Sequence, residues 1–167
     1  MVATEEDLFR LLDNLNIETK TYRHPPLYTV EDSQSLRGEI PGGHCKSLFL
    51  KDKKNNFILA VLSEDRRLDM KALSDFEGLK VGRLSFASEE RMIDMLGIIP
   101  GSVTPFSLIN VDNDELIVIL DKGMLEQEYL NYHPLHNEAT TTIHRDDLIK
   151  FIEHFGFKPI ILDFDQL

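Results

Sequence analysis

The chain has 167 residues, 42% hydrophobic and 28% charged, so a single globular domain spanning 1–167 is expected. A net charge of −11 argues against indiscriminate nucleic-acid binding, and a lone cysteine, Cys45, rules out an internal disulfide or a cysteine-built metal cluster. No apolar run approaches the ~18–20 residues of a membrane span, and the acidic start Thr4-Glu5-Glu6-Asp7 lacks the basic-then-apolar order of a signal peptide. The expectation is a cytoplasmic protein away from membranes.

Thr4 to Leu15 opens with Thr-x-x-Asp and spaces Leu8, Leu11, Leu12 and Leu15 as an amphipathic helix does, with Asn14 and Asn16 at its exit. Glu18 to Arg23 alternates like a short edge strand, and His24-Pro25-Pro26 ends it because neither proline donates a ladder bond. Residues 30–37 read as a helix capped by Thr29. Ser47–Asp52 and Asn56–Leu62 form a hairpin around Lys53-Lys54-Asn55, and the second strand is apolar on both faces, hence central. Asp69 caps a short helix through Leu73, and Ser88 caps another that runs through Leu96 to Gly97. Leu116–Leu120 is a strand with Asp121-Lys122-Gly123 as its turn. Asp146–Phe155 is a helix whose apolar face is Leu148, Ile149, Phe151, Ile152 and Phe155, and Pro159–Phe164 is a last strand. Hairpins mixed with dispersed helices predict an α+β fold around a mixed sheet.

Three stretches carry chemical potential. Pro41-Gly42-Gly43 is a turn leading into a strand, and period-2 alternation puts Lys46 on one face with Leu48 and Leu50. Such a lysine either snorkels its amine to water or stands in a cavity as a site residue. Gly101-Ser102-Val103-Thr104-Pro105 is either a plain connection or a loop whose backbone N–H groups face a ligand. His133-Pro134-Leu135-His136-Asn137 holds two histidines, but Pro134 opposes a helix there, and no third ligand completes a zinc set. They are either structural histidines or hydrogen-bonding groups for a ligand. Residues 46–83 carry nine basic against six acidic groups, the only net-basic third of the chain. Lys51, Lys53 and Lys54 lie in it, forming either a solvated face or a rim for phosphates.

Taken in order, these stretches resemble the YbaK/prolyl-tRNA-synthetase-associated editing domain family. The segment from His44 to Lys54 is most similar to its free-standing deacylases, which clear alanine from tRNA for proline. The resemblance runs from the first helix to the Asp146–Phe155 helix. It implies a mixed sheet curling into a partial barrel with flanking helices, and hydrolysis of the ester joining a wrong amino acid to the 3′ adenosine. By the same resemblance Lys46 is the functional lysine. Ser47, Gly101 to Pro105, His133, His136 and Asn137 line the substrate pocket, and no metal or cofactor is called for. Mischarged tRNA is the implied partner, with a prolyl-tRNA synthetase as an open second one. Many members carry asparagine after the lysine where this chain has Ser47, which bears on the amino acid accepted.

Ester hydrolysis needs a positioned water and donors aimed at the developing oxyanion. No Gly-x-Ser-x-Gly elbow is present, and Cys45 falls on the strand face opposite Lys46, so a covalent route has little support. A charged Lys46 can anchor phosphate or ribose while loop amides hold the carbonyl. The alternative is a non-catalytic module of the same fold that binds the tRNA 3′ end.

Overall fold

The computed structural model describes residues 2–27, 31, 40–112 and 116–167. The helix expected over 30–37 therefore lies, apart from Glu31, outside the described residues. Helix α1, Glu5–Asn14, starts as its sequence dictates: Thr4 Oγ1 accepts from Asp7 N–H at 3.2 Å, and Thr4 N–H donates to the Asp7 carboxylate at 2.9 Å. Leu8 and Leu12 are its fully buried face, and Asn16 leaves it at φ 58°.

Among the described residues eight strands follow: β1 Thr19–Arg23, β2 Gly43–Lys51, β3 Phe57–Ser63, β4 Ser85–Phe86, β5 Leu116–Asp121, β6 Tyr129–Tyr132, β7 Ala139–His144 and β8 Ile160–Leu162. They form one mixed, open sheet in the order β1-β7-β6-β2-β3-β5-β8, with β4 paired to β2. This is the α+β, partly curled sheet expected, with β1 an edge strand and β3 central; Phe57 to Leu62 are all buried. The short strands β6 and β7 were not foreseen. Their inward positions include Leu130, Tyr132, Thr141 and Ile143, too few and too polar to stand out as a period.

Strand β2 changes partners along its length, and this turns the sheet. Gly43 and His44 run parallel beside Leu130 and Asn131 of β6, whereas Cys45 to Lys51 pair antiparallel with β3. The strand thus begins four residues earlier than its apolar run suggests. Residues paired directly across a sheet share a face. Phe49, Leu59, Val61, Val118, Leu130 and Ile143 face the larger core with α1 and helix α4, Arg145–His154. Leu50, Ile58, Ala60, Leu62 and Ile119 face a smaller core with Leu73 of helix α2, Met70–Asp75.

Asp69 caps α2 as expected, accepting from Ala72 N–H at 3.0 Å. The helix capped by Ser88 is α only over Glu89–Arg91 (α3), then widens into a π turn over Met92–Leu96 before Gly97 closes it at φ 66°. Among the described residues no helix is long and apolar enough to cross a membrane.

Candidate functional site

The turn before Lys46 is built against β6. Gly42 sits at φ +102°, and a Cβ there would fall 2.8 Å from the Tyr129 carbonyl oxygen, so the position demands glycine twice over. Buried Asn131 donates from Nδ2 to the carbonyls of Pro41 and Gly43, each at 3.1 Å, and accepts from Thr142 Oγ1 at 2.5 Å. Its amide fixes where β2 begins, and with it the register that carries Lys46 opposite Leu62. Lys46 shares its face with Leu48 and Leu50, as the alternation predicts, and is half-buried. Burial draws its ammonium below the usual lysine range, against the pull of Glu64 and Asp65 and with the help of Arg67.

Lys46 and His133 each stand two residues beyond His44 and Asn131, the last paired positions of the β2–β6 ladder. They stand at the same remove beyond a fork, where β6 ends at Tyr132 and β2 runs on against β3. On this side of the sheet alternation also places His44, Asn131, Thr140 and Thr142, a polar face backed by the larger core. His133 Nδ1 lies 3.1 Å from the Ala139 carbonyl, which can only accept, so Nδ1 carries the proton and Nε2 keeps its lone pair. Burial holds His133 below the ordinary imidazole range, opposed by that hydrogen bond and reinforced by His24 and His136.

The two candidate loops meet. Gly101, exposed and at φ +90°, has among the described residues only Asn137 Nδ2 within 4 Å of where a Cβ would stand, at 3.7 Å. Ser102, Thr104 and Pro105 are buried and Val103 half-buried, so the loop turns its side chains inward and leaves Gly101 facing out. Thr104 Oγ1 accepts from Phe106 N–H at 3.3 Å, and Ser102 Oγ is buried without a hydrogen-bond partner among the described residues. Buried Asn137 clamps Leu27: its Oδ1 accepts from Leu27 N–H at 3.1 Å and its Nδ2 donates to Leu27 O. His136 is engaged at both nitrogens, accepting from Glu138 N–H at 3.0 Å and donating to Glu5 at 2.8 Å.

Three participants went unsingled in the sequence: Asn131, His24 and Glu5. His24 bonds Thr140 Oγ1 at 2.8 Å and sets its ring edge-on to His133, yet in the chain it reads only as the residue before two prolines. Among the described residues no group of three or more His, Cys, Asp or Glu is arranged to hold a metal.

The lysines of the hairpin are elsewhere. Lys51 closes β2, five residues or ~17 Å of strand from Lys46, and Lys53 and Lys54 are exposed at the tip beyond it. Asp52 knots that tip, accepting from Lys54 N–H, Asn56 N–H and Gly82 N–H at 2.9 Å each and from Asn56 Nδ2 at 2.7 Å. Gly82 belongs to the wall of a cavity of about 680 Å³ whose lining includes Lys71, Val81, Arg83 and Leu84. Arg66, in the same basic stretch, is spent on structure: Nε reaches buried Asp121 at 2.9 Å and Nη1 reaches Asp165 at 2.8 Å. Cys45 Sγ faces the larger core, where burial pushes its thiol up to about 12, so it is no nucleophile at neutral pH.

The aminoacyl-tRNA editing domain family matches residues 24–151 of this chain. A prolyl-tRNA synthetase associated domain-containing protein 1 of Mus musculus is 35% identical over 162 residues, 95% of either chain. The prolyl-tRNA editing protein ProX of Acetoanaerobium sticklandii is 35% identical over 156 residues, covering 90% of this chain and 93% of its own. A solved candidate trans-editing enzyme for prolyl tRNA synthetase superposes with a TM-score of 0.72 over 98% of each chain; at 19% identity it speaks for the fold alone. On sequence match and architecture together, the chain belongs to the aminoacyl-tRNA editing domain family.

Proposed function

We propose that this chain is a free-standing, trans-acting deacylase of mischarged tRNA(Pro), with alanyl-tRNA(Pro) as its main substrate. All 167 residues would serve as one editing domain in the cytoplasm. The observation that carries the reading is Lys46 at the β2–β6 fork, half-buried, level with His133 and held in register by Asn131. The resemblance of relatives named for prolyl-tRNA editing and prolyl-tRNA synthetase association supports both the tRNA and a synthetase as partners.

In this reading Lys46 holds the phosphate or ribose of the terminal adenosine by charge. The exposed backbone at Gly101 approaches the ester carbonyl, where preorganised donors stabilise the oxyanion, while the next amide, of Ser102, is donated to the Ile99 carbonyl at 3.2 Å and holds the loop. A water adds to the carbonyl carbon, the bond to the ribose oxygen breaks, and that oxygen takes a proton as the amino acid leaves. The neighbouring ribose hydroxyl can orient the water, so no protein base is required; His133 Nε2 bears on the polarity of the pocket, whereas Ser47, paired with Val61, turns to the larger-core face opposite Lys46 and does not line it. Rejection of proline by volume has a ceiling, since one methylene is worth ~1–3 kcal/mol.

Deacylation of alanyl-, cysteinyl- and seryl-tRNA(Pro) tests the reading directly. Alanine should be removed fastest. Tight binding of the tRNA end without turnover of any of the three overturns it in favour of a non-catalytic binding module.

A further inference from the structure

We infer that Glu5, in the first turn of α1, is a positioning residue for the site: its carboxylate latches the His136–Asn137 loop to β1. The inference rests on the proposed deacylase only for its kinetic consequence. Glu5 Oε1 accepts from His136 Nε2–H at 2.8 Å. The carboxylate also takes the fork of Arg23, with Nη2 to Oε2 at 3.0 Å and Nη1 to Oε1. The Glu5 side chain is 24% exposed and that of His136 34%, against 60% for Arg23, so the His136 contact is the better shielded of the two. Thr4 caps the helix through Asp7, which leaves the Glu5 carboxylate free of that duty.

The consequence runs through His136. With Nδ1 accepting from Glu138 N–H and Nε2 donating to Glu5, the ring has one tautomer and one orientation. The next residue is Asn137, which clamps Leu27 by both side-chain atoms and borders Gly101. Glu5 is thus joined through His136 and Asn137 to the edge of the site, although it lies 19 residues before the stretch that the family matches. Strain-free anchoring of this kind matters because small displacements of a positioned group cost large factors in rate.

The test uses the full chain with Glu5→Ala, Glu5→Gln, His136→Ala and the Glu5→Ala/His136→Ala double variant. It reads kcat and KM on alanyl-tRNA(Pro), Tm, and residue-resolved amide exchange. Glu5→Ala and His136→Ala should each lower kcat about tenfold with KM within about twofold, and the double variant should be no worse than either alone. Glu5→Gln keeps an oxygen for His136 and should recover most of the turnover. The Leu27 amide, which donates to Asn137, should exchange faster in Glu5→Ala, along with 133–138, while β3 and β5 stay protected. The inference is overturned if the two single losses multiply, if Leu27 exchange is unchanged, or if protection falls evenly across the sheet. A wild type that deacylates none of the three substrates would end the proposed function, and Leu27 exchange alone would then decide the latch.

Discussion

Lys46 and Gly101 are the residues whose chemistry is most exposed to test. If Lys46 anchors the substrate by charge, Lys46→Ala should lower deacylation at least ~100-fold, the scale of losing a charged contact worth ~3 kcal/mol, while the far-UV signal and Tm hold. Near-native turnover would remove Lys46 from the site. Its ammonium sits below the usual lysine range, so the anchoring form is lost on the alkaline side earlier than for an exposed lysine. Binding of uncharged tRNA, which has no ester to hydrolyse, should therefore weaken on an alkaline limb lying below pH ~10.5. That limb should vanish in Lys46→Ala. At Gly101 there is room for a methyl but not the angle, since φ is +90°. Gly101→Ala should cost roughly 1 kcal/mol of stability. Turnover should fall further than that cost explains, because the backbone facing the ester shifts; losses of equal size would make the loop a mere connection.

At the scale of elements, the hairpin β2–β3 has a knot at each end. At the tip, burial would raise the Asp52 carboxyl, but hydrogen bonds from Asn56, Gly82 and Lys54 win and hold it down to about 2. A folded-state value below the unfolded ~3.9 means the stabilisation is complete above that pH and drains away as pH falls toward 2. Urea unfolding midpoints of wild type and Asp52→Asn should accordingly differ at pH 7 and converge near pH 2; a constant difference would show that the carboxylate charge plays no part. At the other end, Asn131→Leu removes both donors to the Gly42–Gly43 turn and leaves two carbonyls short of partners. Deacylation should drop at least tenfold while the Asp52 knot, at the opposite end of β2, keeps its protection against amide exchange. These elements also mark what the chain shows without coordinates. Thr-x-x-Asp, the apolar run of β3 and the glycine endings were legible because each is a local rule obeyed within a few residues. Lys46, Gly101 and the His133–Asn137 stretch were legible as motifs. Asn131, His24 and Glu5 were not, because the partners that tie them to the site, Gly43, Thr140 and His136, lie 88 to 131 residues away and no local pattern announces them.

Across the whole molecule, charge is divided along the direction of β2. Lys46 stands at the fork, and Lys53 and Lys54 are exposed at the far tip, the part of the acidic chain best suited to a phosphate backbone. Replacing both tip lysines with glutamate should weaken tRNA binding and flatten its salt dependence by roughly one to two in slope. Hydrolysis of an aminoacyl-adenosine fragment, which lacks distant phosphates, should be unchanged. Unaltered tRNA affinity would mean that the body of the tRNA rests elsewhere.

The burial of Cys45 reaches beyond the ester chemistry that its thiol takes no part in. The thiol is lodged between β2 and the larger core with Tyr132 beside it, and almost none of it is thiolate at neutral pH. A thiol so placed is a slow nucleophile in the folded chain. The same placement makes the single thiol a gauge of opening. Alkylation in native buffer, compared with the rate in denaturant, counts how often the sheet parts at the strand that carries Lys46.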